Sequence, residues 1–139
     1  MSKHLNANSA NLHEFSQNGS KLIAFSGSAD SVVPFADAIK YYNRVCDALG
    51  GYQNVSRFFR YFILPGKDHG TGGRGANCYE DFLLPLRRWV EQDKAPEYIS
   101  VCHNQNGLVT HKLSVYPYKS DKLEQKDFPK GCDEKYLNC

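Results

Sequence analysis

Two residues stand out by their type and their placement. Asp30 lies in Ser26-Gly27-Ser28-Ala29-Asp30, and His69 lies in Pro65-Gly66-Lys67-Asp68-His69. Each follows an apolar run by a few residues. A histidine, with an unperturbed pKa of about 6.5, can take up a proton and return it at neutral pH. A carboxylate bonded to its other ring nitrogen fixes the tautomer and stabilises the imidazolium. Acid before histidine is also the chain order in which these groups follow the serine of a strand–turn–helix nucleophile elbow. That serine is missing: G-x-S-x-G occurs nowhere in the 139 residues. The serines ahead of Asp30 are Ser2, Ser9, Ser16, Ser20, Ser26 and Ser28, none of them on an elbow, and the last two share the turn of Asp30. Plainer roles compete. Asp30 or Ser31 could cap a helix that starts near Pro34, and His69 could be a polar surface residue in a glycine-rich loop.

The elements that would position the pair can be read from apolar spacing. Residues 21–25 form a short apolar run closed by Ser26-Gly27, the pattern of a buried strand and turn. Pro34 suits a first helical turn, and Phe35, Ala38, Tyr42, Val45 and Leu49 follow at helical spacing until Gly50-Gly51. Residues 58–64 read as a second strand ended by Pro65-Gly66. A helix is expected over about residues 79–92, begun or kinked by Pro85. Strands are expected over 98–102 and 108–115, joined by a hairpin turn in Asn104-Gln105-Asn106-Gly107. Residues 12–15 fit a short helix. The order strand, helix, strand predicts parallel neighbours, which would bring the loops of Asp30 and His69 to one sheet edge. Two parallel strands cannot make a sheet buried on both faces. The pattern therefore reads as the last part of a larger α/β domain, with an exposed apolar edge or face where further strands would pack.

Composition narrows the partners. A net charge of +2 gives no basis for a nucleic-acid or membrane partner. No segment is long and apolar enough for a transmembrane helix, and Met1-Ser2-Lys3-His4 opens no signal-peptide apolar region. The nine Tyr and eight Phe point to an interior built on rings. The five cysteines, Cys46, Cys78, Cys102, Cys132 and Cys139, are odd in number and form no C-x-x-C pair. Cys132 and Cys139 could close a small loop in a secreted protein. Asn18-Gly19-Ser20 and Asn54-Val55-Ser56 fit the glycosylation pattern. Gly70-Thr71-Gly72-Gly73-Arg74-Gly75 matches a dinucleotide fingerprint in letters only. Pro65 to His69 separate it from the strand, and Cys102-His103, not an acid, ends the next strand. A metal set from His69, Cys78, Cys102, His103 and His111 has no structural zinc spacing. No cofactor and no metal are expected.

Taken in order, several stretches resemble the tannase and feruloyl esterase family of α/β-hydrolases. They are Lys21 through Asp30, then Tyr41-Tyr42-Asn43-Arg44-Val45, then Phe58 through His69 with the glycines after it. Leu86 through Pro96, and Tyr116-Pro117-Tyr118, follow in place. The resemblance runs over roughly residues 10–120 and implies the carboxyl-terminal fragment of an α/β-hydrolase fold, its last parallel strands and helices, with a short β-hairpin and a polar tail. The expected divisions are a polar linker over 1–20, a partial domain over 21–117 and a charged tail over 118–139. The resemblance implies a carboxylic ester hydrolase in which Asp30 is the triad acid and His69 the catalytic base. The serine and a large lid would lie upstream, with an aromatic (phenolic) ester as substrate. It further implies a secreted, disulfide-bonded protein. Three positions depart from the pattern. Gly70 stands where the family has a cysteine linked to one beside the catalytic serine, Ser114 stands for a late cysteine, and Ser26 stands for the histidine of the acid turn. The rival expectation is a catalytically inactive remnant or an interaction domain.

Overall fold

The computed structural model describes residues 8–70, 75, 78–79 and 82–119. Their elements are α1 (His13–Gln17), β1 (Leu22–Gly27), α2 (Phe35–Ala48), α3 (Tyr52–Val55), β2 (Phe59–Leu64), β3 (Cys78–Tyr79), α4 (Leu83–Gln92), β4 (Ile99–Gln105) and β5 (Leu108–Val115). β1 and β2 pair in parallel, from Leu22 against Phe59 to Gly27 against Leu64. Helix α2 is the crossover between them. It begins just past Pro34, buries Ile39, Tyr42, Val45 and Cys46, and stops where Gly50 and Gly51 take positive φ.

Side chains alternate along a strand, so a two-stranded sheet has two faces to cover. On one face Leu22, Ala24, Phe59, Tyr61 and Ile63 pack with α2, with Val55 of α3 and with Tyr118. The Tyr42 ring meets Phe59 edge-on at 4.9 Å between centroids, and Tyr61 and Tyr118 close the group at 6.2 Å. This is the ring-built interior that the composition implies. On the other face Ile23, Phe62 and Leu64 pack with Phe82 and with Ile99, Val101, Leu113 and Val115 of a second sheet. That sheet is antiparallel, in the order β3-β4-β5. Its β4–β5 turn is Asn106-Gly107, at φ 54° and 82°. Left-handed conformations at both central residues give the strands the twist they need, and Asn-Gly is the pair that adopts them most readily.

One expectation needs correction. The helix drawn from residue 79 begins at Leu83, while Cys78–Tyr79 pairs antiparallel with β4. Pro85 sets the limit, because its missing N–H is harmless only within the first helical turn. Individual contacts also reach outside residues 21–117. The Phe15 ring lies 6.2 Å from that of Phe58, and Tyr118 N–H bonds the Tyr61 carbonyl at 2.8 Å. Both faces of the parallel pair carry packed side chains, but along β1 only Gly27 is buried and Phe25 is exposed. The rest of the expected tail, with Cys132 and Cys139, lies outside the described residues, as do most of the glycine-loop residues after Gly70.

Apolar surface is nonetheless left open. Among the described residues β1 has β2 as its one strand partner. Phe25 on β1 is 39% exposed, and Val32 and Val33 beyond its end are 66% and 54% exposed.

Candidate active site

The parallel register ends with Gly27 opposite Leu64, so the two chain segments leave the sheet side by side. Each turns at once. Pro65-Gly66 makes the turn after β2, with Gly66 at φ 62° and the Lys67 N–H directed to the Leu64 carbonyl at 3.4 Å. Proline first and a left-handed glycine second is the residue order of a type II turn. Gly27 lies against this turn: a Cβ there would sit 2.1 Å from the Lys67 carbonyl oxygen. The Ala29 N–H donates to that same oxygen at 3.1 Å.

This packing brings the two singled-out side chains together. His69 Nδ1 and Asp30 Oδ2 are 3.0 Å apart. The other carboxylate oxygen, Oδ1, accepts the N–H groups of Val32 at 2.9 Å and Val33 at 2.8 Å. Asp30 acts through both oxygens, Oδ1 organising the turn after β1 and Oδ2 holding an imidazole; the cap expected of Asp30 or Ser31 on α2 is not formed, since the N-cap is Pro34 with no side-chain cap bond. The Asp30 side chain is 12% exposed and that of His69 55%. An ionised carboxylate can only accept, so Nδ1 is the donor and neutral His69 carries its lone pair on Nε2. That is the arrangement of a general base oriented by an acid.

Hydrogen bonding from the Val33 N–H holds the Asp30 carboxyl below the ordinary carboxylate value of 3.8; desolvation opposes it, and His69 and the Val32 N–H add to it. A folded-state value below the unfolded one means that Asp30 contributes stability above about pH 4, lost as pH falls through the folded value. Followed by carbon NMR, the Asp30 carboxyl is expected to titrate with its midpoint below the ordinary value of 3.8. A midpoint at or above the ordinary value would show that the turn does not grip the carboxylate.

Two nearby groups make contacts that the sequence did not signal. Lys67 is 5% exposed, and its Nζ donates to the Gly70 carbonyl. His103, on β4, places Nδ1 2.6 Å from the carbonyl of Gly75. The second contact joins β4 to a loop residue 28 positions earlier, which no local pattern encodes. Among the described residues no group of three His, Cys, Asp or Glu side chains is placed to hold a metal ion.

A family model described as tannase and feruloyl esterase matches residues 1–132. A mono(2-hydroxyethyl) terephthalate hydrolase from Piscinibacter sakaiensis is 34% identical over 116 residues, 80% of this chain and 19% of that protein. Feruloyl esterase B of Aspergillus niger is 32% identical over 124 residues, 77% of this chain and 24% of its own length. Among solved structures, an esterase from Aspergillus oryzae superposes with a TM-score of 0.76 at 25% identity, over 80% of this chain and 25% of that one. A tannin acyl hydrolase from Aspergillus niger has the same fold here, with a TM-score of 0.66 at 20% identity, over 78% and 22%. The chain thus spans about a fifth to a quarter of the length of these relatives.

Proposed function

Because the chain belongs to the tannase and feruloyl esterase family, a family of carboxylic ester hydrolases, we propose that it supplies the acid and base of a Ser–His–Asp triad. Asp30 is the acid and His69 the base. The nucleophilic serine lies on sequence outside these residues. The observation that carries this reading is the 3.0 Å contact between His69 Nδ1 and Asp30 Oδ2, made from turns at the ends of adjacent parallel strands. Nε2 of His69 would take the proton of the serine as it attacks the ester carbonyl and would return it to the leaving alcohol. The names of the feruloyl esterase relatives point to phenolic esters as the substrate class. The open apolar surface at Phe25, Val32 and Val33 fits a chain that packs against the rest of such a protein.

A secreted, oxidised protein is part of the reading. It includes an intrachain disulfide at Cys102. Peptide mapping without reduction is expected to return Cys102 in a disulfide-linked peptide and Cys46 outside any disulfide. Alkylation of Cys102 without prior reduction would remove that part.

The remnant reading is favoured by one observation, the absence of G-x-S-x-G from the 139 residues. A hydrolysis assay separates the two. The chain alone is expected to leave ferulate and gallate esters intact. The chain continuous with an in-frame upstream segment carrying an elbow serine is expected to cleave them. Turnover by the chain alone that disappears in His69→Ala would place a nucleophile within it. An encoding sequence with no such serine upstream, and no turnover by its product, would leave the remnant.

A further inference from the structure

The Asp30–His69 contact joins two separate turns, and its length depends on how those turns are held to each other beyond the last ladder pair. We propose that Ser28 and His103 are positioning residues for the pair, gripping the Gly66 turn from opposite sides; this rests on the catalytic reading above. On one side the Ser28 N–H donates to the Leu64 carbonyl at 3.0 Å, and Ser28 Oγ accepts the Gly66 N–H at 2.8 Å. This is a side-chain bond between the acid turn and the histidine turn, at the point where the sheet has ended. On the other side the Gly66 carbonyl accepts the Gly75 N–H at 3.0 Å, and the Gly75 carbonyl lies 2.6 Å from His103 Nδ1. A carbonyl can only accept, so His103 Nδ1 is the donor.

The string His103–Gly75–Gly66–Ser28 therefore runs from the second sheet, across the histidine turn, to the acid turn. Gly75 is fitted to its place in the string: a Cβ there would meet the Pro65 carbonyl oxygen at 2.2 Å and the Gly66 Cα at 2.5 Å. β4 fixes His103 by its register with His111 of β5. The antiparallel sheet thus has a use besides covering an apolar face, since it holds Gly75. Neither Ser28 nor His103 touches the reacting atoms; each acts through the backbone of Gly66.

The readout is the tautomer of His69, taken from its ring nitrogen shifts in the labelled chain at a pH where the imidazole is neutral. In the wild type the Nδ1–H form is expected to dominate. In Ser28→Ala the ratio of Nδ1–H to Nε2–H is expected to fall about fivefold, the factor that goes with one neutral hydrogen bond. Ser28→Thr, which keeps the hydroxyl, is expected to retain the wild-type ratio. His103→Ala, at the far end of the string, is expected to shift the ratio in the same direction, and it decides the matter if Ser28→Ala does not fold. Amide signals of the Tyr42 and Phe59 core report folding in each variant. An unchanged ratio in a folded Ser28→Ala or His103→Ala would overturn the proposal. A wild type without an Nδ1–H preference would instead overturn the Asp30–His69 pair, and the positioning role with it.

Discussion

In the protein completed with its serine, Asp30→Asn is expected to lower kcat by about ten-thousand-fold, and His69→Ala by at least as much. The two losses have different causes. His69→Ala removes the group proposed to take the serine proton. Asp30→Asn leaves the imidazole in place but turns the contact around. The asparagine Oδ1 can still accept the N–H groups of Val32 and Val33, so the turn should keep its shape. Its amide NH2 would face His69 Nδ1, where the carboxylate accepts in the wild type. A donor facing Nδ1 favours the tautomer with the proton on Nε2, and that tautomer cannot accept from serine. The loss should therefore appear in kcat with KM little changed, because neither residue has to grip the substrate for its role. Initial-rate kinetics on a ferulate ester check this. A fall of less than about a hundredfold in folded Asp30→Asn would leave Asp30 as an organiser of its turn and no more.

How much of this was legible beforehand depended on how locally each feature is encoded. The run at residues 21–25, the spacing of Phe35, Ala38, Tyr42, Val45 and Leu49, and the run at 58–64 each span a full element with its own period and stop signals. The strand, crossover helix and strand they predict are present as β1, α2 and β2. Asn106-Gly107 was just as readable, since a two-residue turn needs left-handed backbone at both positions. Cys78–Tyr79 was not. Two residues have no period, and only the partner strand β4 makes them a strand. α3 is hidden for the same reason, four residues long and held by the burial of Val55. At the site, Asp30 and His69 could be found because both residue type and position after a strand pointed to them. Ser28 looked like a bystander of the acid turn, and His103 like a stray histidine. Their contacts join residues 38 and 28 positions apart, and only the assembled sheets bring them together.

Gly27→Ala is expected to be strongly damaging for a single-methyl change near the pair. The reason is space, not conformation, because Gly27 is not among the glycines with positive φ. The added Cβ would stand 2.1 Å from the Lys67 carbonyl oxygen and 2.8 Å from its carbon, both backbone atoms that no rotamer change can move aside. Relief requires the turn at residues 65–67 to back away from the end of β1. That movement stretches the Ala29 N–H contact to the Lys67 carbonyl and the Gly66 N–H contact to Ser28 Oγ, the bonds that hold the two turns together. Overpacking a well-fitted site usually costs about 1–3 kcal/mol, and a contact with fixed backbone belongs at the upper end, about 3 kcal/mol. A displacement of about 1 Å between acid and base can also cost a completed enzyme about a hundredfold in rate. Gly19→Ala is the matched control: Gly19 has φ 71° and nothing within 4 Å of an added Cβ. It should cost only the left-handed backbone strain, about 1–2 kcal/mol, and leave the pair intact. Urea unfolding of both variants, with the His69 tautomer read alongside, makes the comparison. If Gly27→Ala stayed within about 1 kcal/mol of the wild type with the tautomer unchanged, the close approach of the two turns would not be what holds Asp30 to His69.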